Sequence, residues 1–123
     1  MGSSKDDLRA FPKTVKTEVG FALDQAQNGE KSLHAVPLAG FGSAGVLEIV
    51  SNFNKNTYRA VYTVALSEGV FVLHAFQKKS KSGIATPRKE MELVRRRLKA
   101  AEAENERLRQ AKLLESKHGK SSG

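Results

Sequence analysis

Apolar positions recur along this chain with different periods, and each period predicts a different element. Val15, Val19, Ala22, Leu23 and Ala26 fall at helical spacing and form one apolar stripe. Pro12 suits a first helical position, and Asn28-Gly29 suits a helix stop. Ser4 with Asp7 three residues on fits a capped first turn. Residues 4–28 therefore read as two consecutive helices, or one helix broken near Phe11-Pro12. Residues 30–45 read as a long connection with Pro37, Gly40, Gly42 and Gly45. Those glycines do not make a phosphate loop, because no Gly-Lys-Ser/Thr ending is present and a strand follows.

From residue 46 the pattern changes to β-branched and aromatic runs. Val46–Ser51, Thr57–Leu66 and Val70–Phe76 read as three strands. Asn52–Asn56 and Ser67-Glu68-Gly69 are the turns between them, short enough for an antiparallel meander. The third run is nearly all apolar and reads as a central strand. Thr86-Pro87 then marks a helix start, and a long helix to about Ser116 follows. Met91, Val94, Leu98, Ala101, Asn105 and Leu108 alternate spacings of three and four, a short heptad seam with one inner Asn. Its first half is expected to pack on the sheet. Its second half, with Glu102, Glu104, Glu106, Arg107 and Arg109, is too polar for a monomer core. It reads as a solvated extension or a coiled-coil surface for self-association. Lys117–Gly123 reads as disordered. The prediction is an α+β fold: an N-terminal helical hairpin, an antiparallel β-meander and a long C-terminal helix. Residues 1–100 form the domain, and residues 101–123 form a polar extension and tail.

Composition narrows the function. At 123 residues the chain is one domain. It has no Cys, which excludes a disulfide framework, a Cys-ligated metal and thiol catalysis. No apolar run reaches the ~18 residues of a membrane span, and the start lacks a signal-peptide pattern. A cytoplasmic protein without a membrane partner is expected. The net charge is +8, and it is unevenly placed. Residues 1–77 hold seven basic and seven acidic side chains; residues 78–123 hold 14 basic and six acidic. A one-sided basic segment is the footprint of a polyanion such as nucleic acid, or else a solubilising tail.

Arg59 stands out, a charge in mid-strand between Tyr58 and Ala60-Val61-Tyr62. It reads either as a cross-strand partner of Glu48 or as a phosphate-binding arginine on an open sheet face. His74 is the one histidine within a strand, and a lone His there is more often a satisfied core residue than a catalyst. A two-residue turn at Glu68-Gly69 would put Arg59, His74 and Lys78 on one face. A three-residue turn would pair His74 with Tyr62 and turn Arg59 away. Lys78, Lys79 and Lys81 cluster where the last strand ends, and Lys55 lies in the first turn. Clustered ammonium groups suit a phosphate backbone. No carboxylate cluster suggests a metal site, and no cofactor is expected. Cleavage of RNA would then use the ribose 2′-hydroxyl as nucleophile, aided by a base and cationic side chains.

Gly45-Val46-Leu47-Glu48-Ile49, Tyr58-Arg59-Ala60-Val61-Tyr62, Val72 through Ser80 and Thr86-Pro87 stand in order along the chain. Together they resemble the RelE/HigB toxin superfamily, and its phage-derived HigB-like branch most closely, over residues 3–100. The resemblance implies a type II toxin, an endoribonuclease that cleaves mRNA on the translating ribosome. It implies a helix-turn-helix antitoxin as partner. By motif, Arg59 would contact the scissile phosphate and Lys78 and Lys79 would supply the cationic strand end. Glu48 and His74 are weaker matches for proton transfer. Members of the superfamily usually begin with a short strand that has no counterpart before Ser4, so either the start is short or one edge of the sheet is missing. Two rival readings use the same residues: a non-catalytic RNA-binding module built on Lys55, Arg59, Lys78, Lys79 and Lys81, or an interaction protein built on the C-terminal helix.

Overall fold

The computed structural model describes residues 4–30, 35–38, 41, 45–78 and 88–122, with the side chains of Lys78 and of residues 116–122 outside that description. Helix α1 spans Ser4–Arg9 and α2 spans Lys13–Gln27. The break between them is the one Phe11-Pro12 predicts, since Pro12 has no N–H to continue a helical ladder. Strand β1 spans Ala35–Pro37, β2 Val46–Phe53, β3 Asn56–Thr63 and β4 Phe71–Lys78, and helix α3 runs Arg88–Ser122. The sheet is antiparallel, in the order β1-β2-β3-β4.

Three expectations change. The connection before β2 contains a fourth strand, β1, which pairs Val36 with Glu48 at the sheet edge. Its three residues include a proline, which a sheet tolerates at an edge. β4 is the opposite edge strand rather than a central one. It is apolar because helices cover both of its faces. α3 continues to Ser122, so residues 117–122 are helical.

Two cores flank the sheet. On one face α1, α2 and the bend between them bury Phe11, Val15, Val19 and Ala22 against Ile49, Tyr58, Ala60 and Tyr62. On the other, α3 buries Val94 and Ala101 against Val46, Val61 and Leu73. The second face is therefore not open over β3 and β4, as the sequence reading had allowed. Asn105, on the seam of α3, is buried. Its side-chain oxygen accepts the Glu68 N–H at 2.7 Å, and its amide nitrogen donates to Ser67 Oγ at 3.3 Å. The inner Asn of the heptad pattern thus clamps the β3–β4 connection within the chain. Beyond it, Glu104 with Arg107 and Glu106 with Arg109 form ion pairs one turn apart on the exposed helix.

Two turns set the geometry of the strands. Asn54 and Lys55 have φ of 50° and 66° and make the two-residue hairpin turn between β2 and β3. Gly45 has φ +69°, and a Cβ there would lie 2.6 Å from Ala65 Cβ, so only glycine fits.

Candidate functional site

The register of β4 decides which side chains meet. Thr57 lies opposite Lys78, Arg59 opposite Phe76 and Val61 opposite His74, with an irregularity between Val61 and Tyr62. The connection from β3 to β4 spans residues 64–70, longer than either turn the sequence suggested. Arg59 and His74 nevertheless share one face, because side chains opposite one another in a ladder point the same way, and Lys78 takes the register position opposite Thr57. The bulge supplies the offset that a short turn was expected to give.

Glu48 lies opposite Val61, diagonal to Arg59 on that same face. Arg59 Nη1 donates to Glu48 Oε1 at 2.9 Å, and both side chains are 6% exposed. The cross-strand pair therefore forms. An isolated charge would be costly at this depth, and pairing is what makes burial tolerable. A phosphate contact by Arg59 would require this pair to open.

His74 is 6% exposed and its ring stacks on Phe76 at 4.8 Å. Its two nitrogens reach two residues of α3. Nε2 meets Glu90 Oε2, and Nδ1 lies 3.3 Å from Arg97 Nη1, which also donates to the Leu73 carbonyl at 3.0 Å. Glu90 and Arg97 were not singled out in the sequence. Alone they look like ordinary surface charges of a basic helix. Their position is the signal: both flank Val94, on the stripe that α3 turns to the sheet.

An open cleft of about 440 Å³ runs along β4 at this point. Its walls are Asp7, Phe11 and Pro12 on one side, and His74, Phe76 and Glu90 on the other. Tyr58 and Gln77 also line it, and Phe11 meets the Tyr58 ring edge-on at 5.0 Å. Ser4 Oγ donates to the Val72 carbonyl at 3.1 Å, tying α1 to β4 near the cleft. The exposed Lys55 turn and Lys78 lie at the same end of the sheet, since β3 starts at Asn56 and Thr57 is paired with Lys78. Lys79 and Lys81 fall outside the described residues.

A cleft with aromatic lining, two carboxylates (Asp7 and Glu90) and an imidazole, beside a cationic strand end, can hold a small ring and move a proton next to an anion. No described helix is long and apolar enough to cross a membrane. The family model described as "Phage derived protein Gp49-like (DUF891)" matches residues 6–99, which includes every residue of the cleft. No curated protein and no solved structure matches the chain.

Proposed function

This chain belongs to the Gp49-like phage-derived family, within the RelE/HigB-like toxin superfamily, and from that premise we propose that it is the toxin of a type II toxin–antitoxin system. In this reading it is an endoribonuclease that cuts mRNA on the translating ribosome and so inhibits translation. A helix-turn-helix antitoxin neutralises it. The reading is carried by one observation: the cleft beside β4, with His74 and Glu90 at its wall and Lys78 at the end of the strand that floors it.

The division of labour follows from charge and burial. Lys55, Lys78, Lys79 and Lys81 hold the RNA phosphates through their ammonium groups. They also offset the negative charge that develops on the non-bridging phosphate oxygens during cleavage. The ribose 2′-hydroxyl attacks the adjacent phosphate, so the nucleophile belongs to the substrate. Arg59 and Glu48 stand behind this site, where their closed pair fixes β2 against β3. The ribosome holds the message extended, which lets a small protein act without a long RNA groove of its own.

Induced expression in bacteria tests the reading. Wild-type protein should arrest growth and leave cleaved messages, and a Lys78→Ala/Lys79→Ala variant should relieve both. Normal growth with intact messages, from protein shown to be soluble and folded, would overturn it. Salt-sensitive RNA binding by that same protein would then mark a binding module.

A further inference from the structure

We propose that Glu90 is the group that takes the proton from the ribose 2′-hydroxyl, and that His74 and Arg97 position it. This rests on the ribonuclease reading above.

The argument starts from hydrogen-bond chemistry. A guanidinium only donates, so an imidazole nitrogen facing Arg97 must accept. His74 Nδ1, 3.3 Å from Arg97 Nη1, is therefore the ring nitrogen without hydrogen. The ring hydrogen then sits on Nε2 and is donated to Glu90 Oε2. Both ring nitrogens are thus engaged within the chain, and the ring is buried. His74 has no nitrogen left for a substrate.

Glu90 does. Its side chain is 25% exposed, against 8% for His74, and it lines the cleft. A carboxylate has two oxygens, and among the described residues only Oε2 is engaged. The run from the Leu73 carbonyl through Arg97 and His74 to Glu90 fixes the direction of that carboxylate. Rigid support of this kind is what a proton acceptor needs. Glu48, the other carboxylate on this face, is closed on Arg59.

The surroundings suit a nucleotide. Phe76, half-buried at the cleft wall, gives aromatic surface against which an unstacked base can lie, while Phe11 and Tyr58 are buried and packed edge-on at the cleft border. The strand that ends in Lys78 and the helix that begins at Arg88 both border the cleft, through Gln77 and Glu90. In the reaction Glu90 accepts the 2′-hydroxyl proton as the O2′–P bond forms. The P–O5′ bond breaks, and the leaving 5′-oxygen takes a proton from water. Glu90 then returns its proton to solvent. The products are a 2′,3′-cyclic phosphate and a 5′-hydroxyl, with no change of oxidation state.

The test is single-turnover cleavage of one message on translating ribosomes, by the full chain. Glu90→Gln keeps an oxygen to accept from His74 Nε2 but removes the basic group. Its rate at saturating protein should fall about 100-fold or more. The half-saturating concentration and the melting temperature should stay near the wild-type values. Glu90→Ala should be rescued in part by added formate. Arg97→Lys, which keeps a donor, should lose less rate than Arg97→Ala, again without a change in half-saturation. Wild-type cleavage with Glu90→Gln equally fast would overturn the assignment of Glu90 and leave the ribonuclease standing. A wild-type protein that leaves the message intact would overturn the ribonuclease reading and this proposal with it.

Discussion

Breaking the Arg59–Glu48 pair from one side should unfold much of what replacing both sides preserves. Each side chain is 6% exposed, and the contact is 2.9 Å. Arg59→Met leaves Glu48 as a buried charge with its main partner gone, and Glu48→Met does the same to Arg59. Loss of one partner of a buried pair costs ~3–5 kcal/mol. A domain of this size is typically stable by ~5–15 kcal/mol, so either single change removes a large share. Replacing both by methionines fills the space with apolar atoms, and such exchanges range from neutral to ~1–4 kcal/mol stabilising. The coupling between the two sites should therefore be at least ~6 kcal/mol. Urea unfolding of the four proteins reads it directly. With a slope of ~1–3 kcal/mol per M, each single variant should lose ~1 M or more in midpoint, and the double variant should recover it. Single costs below ~1 kcal/mol that simply add in the double variant would refute the reasoning. The cycle also bears on function. Loss of toxicity in Arg59→Ala is informative only when the variant is shown to be folded.

Asn105→Ala leaves the Glu68 N–H without its 2.7 Å acceptor and should cost ~1–3 kcal/mol in chemical denaturation. Gly45→Ala forces a Cβ to 2.6 Å from Ala65 Cβ at φ +69°, and should cost more than ~1 kcal/mol in the same assay. Tyr62 is fully buried, and burial pushes its hydroxyl pKa above the ordinary 10.0. Between the unfolded and folded values the unfolded chain has lost a proton that the folded chain keeps, so stability falls as pH rises above about 10. Tyr62→Phe should remove that contribution. Because the Tyr62 hydroxyl has no hydrogen-bond partner among the described residues, the variant should lose little stability at neutral pH.

Local signals in the sequence located most elements, and long-range packing decided the rest. Pro12 separates α1 from α2, and the β-branched runs mark β2, β3 and β4. β1 was hidden because a three-residue edge strand with Pro37 has no periodicity to detect. The place of β4 at the sheet edge was hidden because an apolar run reports burial on two faces, not strand neighbours. Asn105 fitted a coiled-coil register, but its partner is the β3–β4 connection, 37 residues away in the chain. The candidate site was legible in part. Glu48, Arg59 and His74 were visible as polar groups in apolar strands. Their facing depended on the irregularity at Val61/Tyr62, which no local pattern shows. Glu90 and Arg97 lie in a helix full of charges. Only the sheet's register, which sets His74 beside α3, separates them from their neighbours.

The proposed function requires this protein to cut messages while they are being translated. Mapping of 5′-hydroxyl RNA ends in bacteria shortly after induction tests it most directly. One reporter message would carry a start codon, and its twin would lack one. New ends are expected inside the translated reading frame, spaced in register with codons, and none in the untranslated twin. Equal cutting of both messages, or no new ends while folded protein accumulates, would contradict it.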